Sequence, residues 1–204
     1  LVTAGPTYEP LDPVRFVGNR SSGRMGFALA AAAAARGARV LLVTGPTPLA
    51  PPAGVECVRV ETTQEMYEAV LARAEGTDAV IKAAAPADYR PARVAPAKIK
   101  KGREVVTLEL TPTPDILTEL SRRKGKAVLV GFAAETEDLV ANAREKLRKK
   151  NLDLVVANDV GAKDAGFGAE TNRVTLVGAD GEVEPLPLLS KQEAAHRILD
   201  RVAR

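Results

Sequence analysis

The sequence predicts an α/β fold: a mostly parallel sheet with helices on both faces. Three observations carry this expectation. Short apolar runs alternate with segments whose apolar residues recur at three-and-four spacing. The alternation stays regular from Leu1 to Lys149, the pattern of βαβ units. Long polar stretches follow the ends of three apolar runs, the edge at which open α/β sheets bind ligands.

Strands are expected at Leu1 to Ala4, Arg39 to Thr44, Val55 to Val60, Ala79 to Ala83, Val105 to Leu110, Ala127 to Phe132 and Leu154 to Ala157, each a short β-branched or aliphatic run. Helices are expected between them at Gly23 to Arg36, Thr63 to Ala74, Pro114 to Arg123 and Thr136 to Lys149. Ser22, Thr62, Thr113 and Glu135 or Thr136 are the candidate N-caps. Arg173 to Val177 and Val183 to Leu188 flank Ala179-Asp180-Gly181, and Asp-Gly between two strands signals a hairpin. A last helix is expected at Lys191 to Val202. The whole is Rossmann-like, with an additional C-terminal β-hairpin, in a single domain spanning 1–204. The irregular stretches are Gly5 to Ser21, Pro86 to Arg103 and Asp159 to Asn172, longer than ordinary connections.

Composition narrows the function classes. The 204 residues are 46% hydrophobic and 27% charged, which excludes a disordered or fibrous chain and predicts a packed core. A net charge of +3, spread along the chain, does not mark a nucleic-acid binder. Cys57 is the one cysteine and His196 the one histidine, so there is no disulfide framework and no multi-cysteine or histidine-rich metal centre; a cytoplasmic location fits. The longest apolar stretch, Phe27 to Ala35, is roughly half the ~20 residues of a membrane helix. The chain opens inside a strand at Leu1, which reads as a fragment of a longer protein.

Four segments could carry chemistry. Asn19-Arg20-Ser21-Ser22-Gly23-Arg24-Met25-Gly26 feeds the chain into a helix, where free N–H groups, hydroxyls and glycines suit a phosphate; an ordinary N-cap explains the segment equally well. Ala83-Ala84-Ala85-Pro86-Ala87-Asp88 ends a strand in small residues that let a ligand reach the backbone. It runs on to Lys98-Ile99-Lys100-Lys101, either a flap over polyphosphate or a solvated basic loop. Gly131-Phe132-Ala133-Ala134-Glu135-Thr136 ends another strand, and Phe132 there could stack on a ligand or pack in the core. Lys146 and Lys150 share a face of the next helix, as ligand contacts or as a solvated face. Asn158-Asp159-Val160 precedes the loop with Phe167 and Asn172, which could orient a ligand or satisfy a turn. Cys57 reads as buried and structural, and His196 as a surface or packing residue.

No Gly-x-Gly-x-x-Gly follows the first strand and no Walker motif is present, and aromatic residues are only 3%. A Rossmann-type NAD(P)-dependent oxidoreductase would explain the fold but not the lysine flap. A non-catalytic nucleic-acid-binding module would explain only the charge.

Taken together, Asp12-Pro13-Val14-Arg15, Asn19-x-Ser21-Ser22-Gly23-x-Met25-Gly26, Asp88-Tyr89-Arg90, Lys98-Ile99-Lys100-Lys101, Pro114-Asp115-Ile116, Gly131 to Thr136 and Asn158-Asp159-Val160 resemble the phosphopantothenoylcysteine synthetase family. In most bacteria this ligase is the C-terminal half of a bifunctional coenzyme A biosynthesis protein. The match covers nearly the whole chain; Pro86, where many relatives carry Val, departs from it. The resemblance implies ligation of 4'-phosphopantothenate and L-cysteine. The carboxylate attacks the α-phosphate of CTP, releasing pyrophosphate, and the cysteine amine then displaces CMP from the acyl-cytidylate. An ionised carboxylate needs no Ser-His or Cys-His activation, so catalysis reduces to positioning and charge stabilisation.

By the same resemblance, Lys98 would stabilise charge at the α-phosphate with Mg2+ on the triphosphate, and Asn19 would handle the acyl-cytidylate, its amide holding the acyl oxygen. Ser21, Ser22 and Gly23 would cradle phosphate. Nucleotide contacts carry over to Lys82, Ala83, Ala84, Asp88, Pro114, Asp115, Ile116, Leu117, Phe132, Lys146 and Lys150, and Arg15 is matched to the phosphopantothenate phosphate. The metal ligands stay open, since Asp88 could face metal, sugar or base. The family further implies a homodimer with shared sites, fusion to a flavin-dependent phosphopantothenoylcysteine decarboxylase with no flavin in this half, and a bacterial preference for CTP over ATP.

Overall fold

Strand β1 (Val2–Ala4) is buried along its whole length and pairs in parallel with β4 (Leu41–Thr44) on one side and β6 (Ala79–Lys82) on the other. Around it, the computed structural model describes residues 1–102, 105–135, 137–159 and 169–204. From β1 the chain makes a small antiparallel hairpin, β2 (Tyr8–Pro10) with β3 (Phe16–Gly18), then enters α1 (Arg24–Ala35). After β4 it adds β5 (Glu56–Arg59) at one sheet edge, and α2 (Thr63–Ala74) carries it back across β1 to β6. A second small pair, β7 (Tyr89–Pro91) with β8 (Leu110–Pro112), leads to α3 (Ile116–Arg123).

Strand β9 (Val128–Glu135), helix α4 (Leu139–Lys149) and strand β10 (Leu154–Asp159) extend the parallel sheet. Strands β11 (Thr171–Asn172), β12 (Val174–Gly178), β13 (Val183–Pro185) and β14 (Leu189–Ser190) precede the last helix, α5 (Lys191–Val202). The eight-stranded sheet has the order β13-β12-β10-β9-β6-β1-β4-β5, with β12 and β13 antiparallel at one edge and β11 pairing β14 outside it.

Alternation along the strands sorts the core into two layers. Val2, Leu42, Ile81, Val130 and Val156 face α1 and α5, against Leu29, Ala30, Ala195 and Ile198. Val43, Val80, Leu129 and Val155 face α2, α3 and α4, against Met66, Val70, Leu117 and Ala143. Helix α1 lies so close to β1 that a Cβ on Gly26 would come within 2.5 Å of the Ala4 Cβ. Its alanine run is therefore a packing surface, and only glycine fits at the point of closest approach.

Helices α2 and α5 begin and end where the sequence puts them. Thr62 caps α2 by accepting the Glu65 N–H at 3.2 Å, and Ser190 with Glu193 forms a full capping box on α5. Three expected caps are corrected. Gly23, in the left-handed region at φ 79°, holds the cap position before α1 in place of Ser22 and makes no side-chain cap. Asp115 replaces Thr113 at α3, because the Pro114 ring leaves the first free N–H groups beyond it. Asp138 precedes α4, because β9 runs on to Glu135; Thr136 lies outside the described residues.

The expected strand at Val105 to Leu110 is also corrected. Only Leu110 to Pro112 is strand, and Val105 is 94% exposed. Its apolar alternation has no sheet face to cover. The stretches Gly5 to Ser21 and Pro86 to Arg103 hold the three-residue strands β2, β3 and β7, whose prolines and glycine hide them from a periodicity argument. Arg103, Val160 and Phe167 lie outside the described residues.

Gly26→Ala is expected to lower stability by about 1–3 kcal/mol through overpacking, against the roughly 1 kcal/mol that alanine gains over glycine within a helix. The urea unfolding midpoint reads this. An unchanged or raised midpoint would mean that α1 can withdraw from β1.

Candidate functional site

The loops leaving β1 and β6 are stitched together before they diverge. Ala85 N–H donates to the Gly5 carbonyl at 2.9 Å, Ala84 N–H to Thr3 Oγ1 at 3.1 Å and Ala87 N–H to Thr7 Oγ1 at 2.9 Å. Asn19 closes the seam: its Nδ2 donates to the carbonyls of Ala85 at 3.1 Å and Pro86 at 2.9 Å. Two carbonyl partners can be met only by the NH2 end of the amide, which fixes its orientation. The amide hydrogens are thus engaged, and Oδ1 is the end of Asn19 left to accept a hydrogen bond.

Above this seam, at the C-terminal ends of the parallel strands, lies a cavity of about 350 Å³. Of the residues singled out from the sequence, Asn19, Ser21, Ser22, Gly23, Lys82, Ala83, Ala84, Asp88, Phe132 and Lys146 line it together. The N-terminus of α1 forms one wall, where Ser21 Oγ accepts the Gly23 N–H at 3.3 Å and the Ser22 carbonyl accepts from Thr47 Oγ1 at 3.1 Å. Small side chains at 83–85 form the floor and bring backbone within reach of a ligand.

The opposite wall is cationic. Lys82 ends β6, and burial, reinforced by the neighbouring Lys146, pushes its ammonium down to about 8. Lys146 Nζ donates to the Phe132 carbonyl at 2.5 Å, which ties α4 to β9 beside the Phe132 ring. Lys150, one turn on, stands outside the cavity lining. It pairs with Asp115 and donates to Thr118 Oγ1 at 2.7 Å, joining α4 to the start of α3. That pairing accompanies the lowered Asp115 pKa, although burial, its largest influence, acts the other way. The Ile116 and Leu117 side chains are core, so any ligand contact at 114–117 is through backbone or Asp115.

Lys98 and Arg15 also stand outside the lining. Lys98 is exposed on the arm between β7 and β8, and that arm is gripped by the β2–β3 hairpin tip. Asp12, its side chain fully buried, accepts from the Val14 and Arg15 N–H groups at 2.9 Å each, from Arg15 Nε at 3.0 Å and from the Ile99 N–H at 3.1 Å. Arg15 also donates to the Ile99 carbonyl at 2.7 Å, and Ala95 N–H to the Leu11 carbonyl at 2.9 Å. The Arg15 guanidinium holds the Asp12 carboxyl well below the usual carboxylate range. Lys98 is therefore the neighbour of a clamped residue on an otherwise exposed arm.

The third wall was only partly legible. Asn158 and Asn172, weighed in the sequence as turn or ligand residues, both line the cavity, and the Asn158 Oδ1 is buried with no hydrogen-bond partner among the described residues. Arg24 and Met25, from the candidate segment 19–26, line it too, and so does Lys191, which was not foreseen. Lys191 carried a signal: a lysine at the first position of a helix opposes the helix dipole and calls for another reason.

Other groups fall away. Burial raises the Cys57 thiol pKa, which disfavours the nucleophilic thiolate, and His196 is tied to Arg36, away from the cavity. A larger cleft of about 840 Å³ sits at the N-terminal edge of the sheet beside Leu1, Asp78 and Val202, opposite the edge where such sheets bind ligands. Among the described residues no cluster of three acidic, histidine or cysteine side chains could cage a metal, and Asp88 is the one carboxylate in the cavity lining. No helix among them is long and apolar enough to cross a membrane.

The family model for the DNA/pantothenate metabolism flavoprotein C-terminal domain matches residues 1–204. The coenzyme A biosynthesis bifunctional protein CoaBC of Bacillus subtilis is 51% identical over all of this chain, which spans 50% of that protein. The chain thus spans about half the length of the curated relatives it matches. A crystal structure of the C-terminal domain of a CoaBC protein is 47% identical with a TM-score of 0.84, over 98% of this chain and 91% of that one. A DNA/pantothenate metabolism flavoprotein from Streptococcus pneumoniae superposes with a TM-score of 0.85 at 26% identity, over 99% and 96% of the two chains.

Asp12→Ala is expected to release the arm at Ile99. Trypsin cleavage at Arg93, Lys98, Lys100 or Lys101 should then accelerate roughly tenfold in native buffer, because proteolysis follows the open population. An unchanged rate would show that the Ala95 contact holds the arm unaided.

Proposed function

Because the chain belongs to the DNA/pantothenate metabolism flavoprotein C-terminal domain family, we propose that it is a phosphopantothenate-cysteine ligase. It joins 4'-phosphopantothenate to L-cysteine at the expense of CTP. The observation that carries this reading is the cavity itself: cationic on two walls, floored by small residues at strand ends, with one carboxylate and no nucleophile–base pair among its described lining residues. Such a site suits a reaction whose nucleophiles arrive with the substrates.

In the first step the phosphopantothenate carboxylate attacks the α-phosphorus of CTP, the P–O bond to the β-phosphate breaks, and pyrophosphate leaves. In the second, the neutral amine of cysteine attacks the acyl carbon, CMP leaves with the bonding electron pair, and the amine gives up a proton. Lys82 and Lys146 hold the nucleotide, with the Phe132 ring and the α3 start nearby. Lys98 adds charge at the α-phosphate when the arm lies over the cavity. Asn19, with its NH2 bound to Ala85 and Pro86, meets the reacting acyl-cytidylate through Oδ1, an acceptor suited to the incoming amine. This revises the expected role of donor to the acyl oxygen.

Mg2+ usually takes one or two carboxylates and completes its shell with phosphate and water, and Asp88 fits that donor set. When bound it would neutralise charge on the triphosphate. The exposed apolar side chains Val14, Phe16, Tyr89, Val94, Val106 and Leu110 are all carried by the two small strand pairs and the arm, which supports a homodimer formed through these segments. Fusion to a decarboxylase half is part of the same proposal, supported by relatives that are called bifunctional and of which this chain spans about half.

Pyrophosphate release with Mg2+ and phosphopantothenate tests the reading. Release should require CTP and exceed that with ATP, and sustained CMP formation should need L-cysteine. No release with either nucleotide, from folded dimeric protein, would contradict it. Lys82, pushed down to about 8 by burial, is charged below that pH and neutral above it. CTP affinity should therefore be full near pH 7 and fall as pH rises through about 8, by up to roughly tenfold per unit. Calorimetry between pH 7.5 and 9.5, where the triphosphate charge is constant, reads this, and a flat profile would contradict it. Val106→Asp with Leu110→Asp should sediment as a monomer; a dimer would place the interface elsewhere.

A further inference from the structure

The ligation proposed above, on which this inference rests, gives a particular weight to Asp88, the one carboxylate among the described residues that line the cavity. Asp88 is exposed, on the connection from β6 to β7. A side chain on a connection keeps one direction only where its backbone is held from elsewhere.

The preceding residue, Ala87, is 5% exposed, and its N–H donates to Thr7 Oγ1 at 2.9 Å. Its carbonyl lies 2.7 Å from Thr113 Oγ1 and 3.3 Å from Thr63 Oγ1. A hydroxyl has one proton to give, and that of Thr63 goes to the buried Glu9 carboxylate at 2.8 Å, which also accepts the Thr63 N–H. Thr7 and Thr63 Oγ1 are 2.8 Å apart, and with the Thr63 proton committed to Glu9 it is Thr7 that donates between them. Thr113 is then the hydroxyl that satisfies the Ala87 carbonyl. Its backbone N–H donates to the next carbonyl, that of Asp88, at 3.0 Å. Both donors of Thr113 thus go to consecutive carbonyls, one on each side of the Asp88 Cα. The hydroxyl is free for this because α3 is capped by Asp115, which accepts the Thr118 N–H at 2.9 Å.

We propose that Thr113 is the positioning residue of Asp88: by gripping the peptides on both sides of its Cα, it aims the carboxylate at the Mg2+-bound nucleotide. Buried Glu9 serves the same end from a distance, by fixing which way the protons of Thr63 and Thr7 point. Loss of the Thr113 hydroxyl leaves the buried Ala87 carbonyl with the contested 3.3 Å contact, so the peptide turns toward water and Asp88 turns with it.

Calorimetry of Mg2+-CTP binding across a double-mutant cycle tests this, with Thr113→Val, Asp88→Asn, the double variant and Thr113→Ser, which keeps the hydroxyl. Thr113→Val and Asp88→Asn should each weaken binding about tenfold. Thr113→Ser should stay within about twofold of the unsubstituted chain, and adding Thr113→Val to Asp88→Asn should cost no more than about twofold. A threonine that serves stability alone gives a different pattern: a lower melting temperature, with no loss of affinity or with the same loss whether or not Asp88 is present. Either result would overturn the proposal. Asp88→Asn binding as tightly as the unsubstituted chain contradicts it too, as does Thr113→Ser binding as weakly as Thr113→Val. If the unsubstituted chain binds no Mg2+-CTP, the ligase reading itself fails and this inference falls with it; additive losses in a chain that does bind Mg2+-CTP sink this inference alone. Should Thr113→Val not fold, Thr113→Ala takes its place in the cycle. Failure of both to fold, with Thr113→Ser folded, would show that the bond serves stability and overturn the proposal.

Discussion

Everything at the ligand edge depends on the seam between the loops that leave β1 and β6. The chain passes from β1 to β4 on one side and returns to β6 on the other, so strand order reverses beside β1 and opens a crevice there. A crevice between two diverging loops would splay, were it not closed by backbone and threonine hydrogen bonds and by the Asn19 amide. Buried Glu9 extends the seam by accepting from Thr63 N–H and Oγ1, both at 2.8 Å, which pins the β2–β3 hairpin to the start of α2. A polar network of this kind is stable only when each member is satisfied, so it fixes one geometry for the floor of the cavity.

The seam also explains how a remote arm acquires a defined place. The hairpin that it pins carries Asp12 and Arg15 at its tip, and these clamp Ile99 on the arm bearing Lys98. Arg15 thus has a structural task besides any contact with a phosphate. The cavity's charge follows from the layers: one set of lysines rides on β6 and α4, the other cations on the first turns of α1 and α5.

The sheet, its helices on both faces and the late hairpin were legible because they rest on periodicity, which the sequence displays directly. Helices α2 and α5 were legible to the residue, since Thr62 and Ser190 cap by side-chain bonds that depend on local sequence alone. The α1 cap was not. Ser22 is the better cap by composition, but Gly23 must take a left-handed conformation to bring α1 against Ala4. Val105 to Leu110 alternates like a strand and is not one, because alternation is informative only where a sheet exists to bury one face. In the site, strand-end residues such as Lys82, Ala83 and Phe132 could be placed from the chain alone. Lys191 could not, since it arrives from the far end of the sequence through packing of α5 on α1.

The most direct test of this account is a crystal structure of the chain with Mg2+-CTP and 4'-phosphopantothenate bound. The account predicts the nucleotide beside Lys82, Lys146 and Phe132 and the acyl carboxylate next to Asn19 above the seam. Ligands in the larger cleft beside Leu1 and Val202, with the strand-end cavity empty, would contradict it.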